Sequence, residues 1–148
     1  MRVVIGSDHG GYQLKEIIRQ NLQEHGYEVV DCGTYSTDSC DYPDIARKVA
    51  MQVKESVGTF GILICGTGIG ISIAANKIAG IRAALCHDTF SAKASRAHND
   101  ANILAMGERV IGPGLALDIV HAFLTGTFEG GRHERRVNKI SEIEKERA

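Results

Sequence analysis

The chain has 148 residues, of which 43% are hydrophobic and 24% charged, with a formal net charge of −1. This is the size and balance of one folded domain, long enough to bury a core without a disulfide or metal staple. The near-neutral charge excludes nucleic-acid or anionic-membrane binding by bulk electrostatics, so any anion site must come from local clustering of basic residues.

The first element in chain order is a buried strand over Arg2–Gly6, too short for a signal peptide and without a cleavage site. Leu14, Ile17, Ile18 and Leu22 recur at helical spacing and predict an amphipathic helix ending near His25-Gly26. Tyr27–Cys32 is a second strand, followed by a polar loop from Gly33 to Tyr42. Pro43 suits the first turn of a helix whose inner face is Ala46, Val49, Ala50 and Val53. Phe60–Cys65 is a nearly all-apolar third strand, and Gly66–Gly70 leads from it into a helix bearing Ile73, Ala74 and Ile78. Ile81–Cys86 and Asn102–Met106 are the fourth and fifth strands, with a helix through Ser91–Ala97 between them. Leu115–Leu124 is a further helix, and Val137, Ile140 and Ile143 mark an amphipathic tail helix. No run approaches the roughly 20 apolar residues of a membrane span.

Strands that each feed a helix predict an α/β fold: one Rossmann-like, doubly wound domain with a five-stranded parallel sheet flanked by helices. Such sheets bind ligands beyond the carboxyl ends of their strands, at the point where the strand order reverses. An order of 2-1-3-4-5 puts that point between the first and third strands, where Asp8, His9, Cys65 and Thr67 converge.

Three of the five residues Gly66–Gly70 are glycine, more than a tight strand–helix turn needs. Their backbone N–H groups can close around an anion. The spacing is GxGxG, not GxGxxG, and no GKS or GKT follows, so neither the dinucleotide fingerprint nor the P-loop is present. Cys65 enters this loop, where oriented N–H groups would stabilise a thiolate able to act as base or nucleophile. Cys32, Cys40 and Cys86 read as small buried hydrophobes. No cysteines form a CxxC pair, which weighs against zinc and thioredoxin-like sites, and free thiols suit a reducing cytoplasm. His98 ends a helix before the fifth strand and is either a cap or a catalyst. His25, His87 and His121 read as surface or helix residues. Arg132 and Arg136 are four apart before the tail and share a face if helical, the pattern of a phosphate grip or of a solvated charged turn.

Gly6-Ser7-Asp8-His9-Gly10-Gly11, Asp41-Tyr42-Pro43-Asp44, Cys65 through Lys77, Ser95 through Asn102 and Gly130-Gly131-Arg132-His133 together closely resemble the type B ribose-5-phosphate isomerases, within a broader family acting on allose and galactose 6-phosphates. The resemblance implies a homodimer, with a dimer of dimers as a larger possible assembly, no metal and no cofactor. It implies Cys65 as the base between C2 and C1, and His98 in opening the furanose ring with Thr67 nearby. Backbone amides of Gly66, Thr67, Gly68, Ile69 and Gly70 would hold the enediolate. Asp8, His9, Tyr42 and Asn99 would contact the sugar, and Arg109, Arg132 and Arg136, with His9, the phosphate. Position 71 is Ile, so the branch that uses a glutamate there does not apply. The tail helix would lie at the dimer interface, bringing its arginines to the partner's site. The competing readings are a hexose-6-phosphate isomerase and, from another class, a nucleotide- or flavin-binding module on the same fold.

Overall fold

The computed structural model describes residues 1–147. Five strands, β1 (Arg2–Ser7), β2 (Glu28–Asp31), β3 (Phe60–Cys65), β4 (Ala83–Leu85) and β5 (Ile103–Gly107), form one all-parallel sheet. Six helices alternate with them: α1 (Tyr12–Glu24), α2 (Tyr42–Glu55), α3 (Ile69–Ala75), α4 (Thr89–Ala97), α5 (Pro113–Leu124) and α6 (Arg132–Glu146).

Side chains on the strands alternate between two cores, as the period of two dictates. Val3, Ile5, Ile62 and Ile64 point to the side covered by α1, α4 and α5. Val4, Leu63 and Cys65 point to the side covered by α2 and α3. Each fully buried aliphatic side chain contributes about 1.5–3 kcal/mol, so both layers hold the sheet between them. Helix α2 buries Ala46, Val49, Ala50 and Val53, the face its spacing predicts. Helix α1 stops where expected: Gly26 takes φ +82, and the Tyr27 N–H donates to the Leu22 carbonyl at 3.0 Å.

Two expectations change. The strand order is β2-β1-β3-β5-β4, not 2-1-3-4-5. All five residues of β5 are buried, whereas the three-residue β4 is only partly covered and is preceded by Arg82, so β4 takes the edge. The reversal between β1 and β3 is unaffected. In α1, Ile17 is 40% exposed and Lys15 is fully buried in its place. The Lys15 ammonium bonds Asp31 Oδ2 at 2.6 Å and lies between the rings of Tyr12 and Tyr35, 5.5 and 5.4 Å from their centroids.

Candidate active site

The first cluster of predicted residues forms at the carboxyl ends of β1 and β3. Asp8 follows β1, is buried, and accepts the Gly10 N–H at 2.9 Å, which locks the turn. This turn lies against the β3 loop: a Cβ on Gly10 would stand 3.2 Å from the Gly66 nitrogen, and one on Gly11 2.6 Å from the Ile64 carbonyl oxygen. Only glycine lets the two backbones approach so closely. His9 accepts the Cys40 N–H at Nδ1, 3.3 Å away, so in its neutral form its free proton sits on Nε2.

Cys65 is the last residue of β3 and is 5% exposed. The Gly68 N–H donates to its Sγ at 3.0 Å, aimed at the atom that carries the charge of a thiolate. The loop itself is braced. Gly68 takes φ +76, Thr67 Oγ1 accepts the Ile69 N–H at 3.2 Å, and the Arg109 N–H bonds the Gly66 carbonyl at 3.1 Å. The Arg109 guanidinium rests on Gly66, and the Tyr42 ring rests on Gly70. Asp8, His9, Tyr42, Cys65–Gly70 and Arg109 therefore line one mouth, holding a thiol, a carboxylate, an imidazole and a guanidinium around a glycine loop. Burial, and secondarily the Asp31 carboxylate, pushes the Cys32 thiol up; burial does the same to Cys86. Cys32 and Cys40 are half-buried, less covered than expected: Cys32 packs on the margin of the α2–α3 core where the polar loop begins, and Cys40 lies within that loop.

The second cluster lies at the other end of the sheet. Helix α4 runs back from the carboxyl end of β4, and His98 caps its last turn. The following loop is fixed at the amino ends of β4 and β5, where Arg82 Nε donates to the carbonyls of Asn99 and Asp100 at 3.1 and 3.0 Å. The length of β5 separates this level from that of Cys65, about 13 Å at 3.3 Å per residue. The tail joins His98, not Cys65. The His133 ring stacks on the His98 ring, with centroids 4.2 Å apart and planes 8° apart. Arg132 and Arg136 lie on the first turns of α6, helical and on one face as predicted, and both are exposed. Desolvation, aided by the neighbouring charges of His98 and Arg132, pushes the His133 imidazole below its ordinary value. One chain thus holds the predicted residues in two groups, and it does not bring His98, Asn99, Arg132 or Arg136 to Cys65.

Spacing alone did not reveal His133 or His87. His133 stands in the Gly130–His133 motif, but its contact with His98 joins residues far apart in sequence. His87 is not a free surface residue: its Nε2 accepts the Gly107 N–H at 2.9 Å. Gly107 in turn packs on Thr67, whose carbonyl carbon is 2.5 Å from where a Gly107 Cβ would stand.

A sequence profile described as Ribose/Galactose Isomerase matches residues 3–140. The chain belongs to the ribose/galactose isomerase family. Its fold superposes on a solved structure of Clostridium thermocellum ribose-5-phosphate isomerase B with a TM-score of 0.97, at 59% identity and covering 100% of both chains. It is 52% identical to ribose-5-phosphate isomerase B of Escherichia coli over 99% of this chain and 98% of that one. It is also 45% identical to a D-erythrulose-4-phosphate isomerase of Pectobacterium atrosepticum, over 97% and 95% of the two chains. Among the described residues, no helix of this family member is long and apolar enough to cross a membrane.

Proposed function

We propose that this isomerase interconverts D-ribose 5-phosphate and D-ribulose 5-phosphate through an enediolate, without metal or cofactor. The observation that carries the reading is the Cys65 sulfur on the lip of the glycine loop, with the Gly68 N–H 3.0 Å from it. Removing a proton α to a carbonyl needs a base and a fixed set of donors for the oxyanion that forms. Cys65 supplies the base, taking the C2 proton of the open-chain aldose and returning it at C1. N–H groups of Gly66 to Gly70 hold the enediolate oxygens. Asp8, His9 and Tyr42 position the sugar, and Arg109 reaches the phosphate from the same mouth.

His98, with Thr67, opens the furanose ring, and Asn99, Arg132 and Arg136 complete the sugar and phosphate contacts. In this reading His98, Asn99, Arg132 and Arg136 reach Cys65 from a second copy of the chain. The placement of both groups at opposite ends of one sheet supports a homodimer with two composite sites. So does the tail: Val137 is buried on its own chain, but Ile140 and Ile143 remain 49% and 59% exposed, and Ile69 and Ile73 beside the glycine loop are 52% and 55% exposed. The twofold symmetry of a dimer gives two equivalent sites.

The relatives act on phosphates of more than one chain length by name. The test is therefore a panel of ribose 5-phosphate, a tetrose 4-phosphate, allose 6-phosphate and galactose 6-phosphate, with and without a chelator. The expected result is highest kcat/KM on ribose 5-phosphate and full activity in chelator. A higher value on a tetrose or hexose phosphate contradicts the substrate assignment.

A further inference from the structure

We propose that His98, Glu129 and His133 form a binding site for one divalent cation of the zinc class, and that a cation held there withdraws His98 from catalysis. These three side chains each offer one ligand atom, and the atoms all lie within 4.8 Å of one another. Two imidazoles and one carboxylate are a donor set that suits zinc and not calcium or magnesium, which demand mostly oxygen. His133 Nε2 and Glu129 Oε2 stand 3.4 Å apart. Two ligands bound to a tetrahedral zinc at about 2.0–2.1 Å are separated by about 3.3–3.4 Å, so this pair is already at coordination spacing.

The backbone holds the set together before any ion arrives. The Glu129 N–H donates to the Ala97 carbonyl at 3.0 Å, which ties the glutamate's segment to the residue preceding His98. His133 is buried and fixed at the start of α6, whereas Glu129 and His98 are exposed and free to adjust. The two imidazole planes lie parallel, so their in-plane lone pairs do not converge; a turn of the His98 ring brings its nitrogen to the third corner of the tetrahedron, with water at the fourth. Arg132 and Arg136 oppose a cation, but both are exposed on their own chain, where water and salt screen much of their repulsion. The same turn takes the His98 ring off its stack, and this inhibitory consequence rests on the catalytic role proposed above for His98.

The experiment is a zinc titration of the full-length protein, in competition with a chromophoric chelator, on wild type, Glu129→Gln and Cys65→Ser. Glu129 is exposed and outside the proposed catalytic machinery, so Glu129→Gln keeps the fold and the basal activity. The expected result is one zinc per chain at micromolar concentration in wild type and in Cys65→Ser, and binding at least about tenfold weaker in Glu129→Gln. Loss of binding in Cys65→Ser, unchanged binding in Glu129→Gln, or no binding at micromolar zinc overturns the site. Isomerase assays then give the second readout: zinc inhibits wild type, and Glu129→Gln resists. Zinc bound with the expected Glu129 dependence but without inhibition would uphold the metal site and overturn the withdrawal of His98, whose role in turnover is read separately from His98→Asn.

Discussion

Replacing Cys65 by alanine leaves the glycine loop and its neighbours in place and removes only the proposed base. The expected loss falls on kcat, by about 10²- to 10⁴-fold, with KM changed little. Steady-state kinetics in both directions checks this, and turnover near wild type contradicts the assignment. His98→Asn is expected to spare an open-chain aldehyde more than the furanose, because ring opening is needed only by the cyclic form; equal losses on both refute that role. The thiol was legible in the sequence because everything that singles it out is local: an apolar strand, then three glycines in five residues. The partners of His98 were not legible. Its stack on His133 is a tertiary contact, and neither the spacing nor the chemistry of either histidine announces the other.

Elements set how firmly those residues are held. A Cβ on Gly68 would meet Leu85 Cδ1 at 2.5 Å and the Met106 carbonyl carbon at 2.7 Å, at a φ of +76 that L-residues rarely adopt. Gly68→Ala is therefore expected to cost at least about 1 kcal/mol of stability and to lower kcat as well, since the N–H on Cys65 moves with it. Urea unfolding and kinetics read the two effects separately. Asp88 caps α4 by accepting from the Ser91 backbone at 2.6 Å and from its hydroxyl at 2.8 Å, which lowers its carboxyl below the ordinary 3.8. A carboxyl depressed on folding stabilises the protein above its unfolded value and loses that effect as pH falls through its folded one. Asp88→Ala should thus unfold at lower urea than wild type near neutral pH, with the gap narrowing below pH 3.8; a gap that stays constant contradicts the cap's charge. The sheet order was only faintly written in the sequence. Ala83–Leu85 and Ile103–Gly107 both read as apolar strands, and only the brevity of the first and the adjacent Arg82 mark it as the edge. Helix α1 misled for a related reason: a lysine is the last residue expected inside, yet Asp31 and two tyrosine rings receive Lys15 there. Asp31→Ala leaves that buried ammonium only the Glu16 carboxylate, 3.1 Å away, and should cost up to about 3 kcal/mol in urea unfolding, against a smaller loss for Lys15→Met/Asp31→Asn together.

At the scale of the whole molecule, the sheet sets Cys65 and His98 about 13 Å apart along its strands. The parallel topology requires this: a residue that ends β3 and a residue that precedes β5 sit at opposite ends of two neighbouring parallel strands. The alternation of strand and helix made the doubly wound fold readable, and with it the meeting of Asp8 and Cys65. The tail's exposed Ile140 and Ile143 made a second subunit a natural partner. What the alternation does not carry is which chain supplies which half of the site. The direct measurement is activity after mixing two inactive proteins, Cys65→Ala and His98→Asn/Arg132→Ala, in equal amounts with subunit exchange verified. In a composite site one pocket of each mixed dimer combines an intact Cys65 with an intact His98 and Arg132. Half the dimers are mixed and half their sites are whole, so roughly a quarter of wild-type activity should return. No recovery, with exchange confirmed, would mean that every part of the site comes from one chain and would contradict the account.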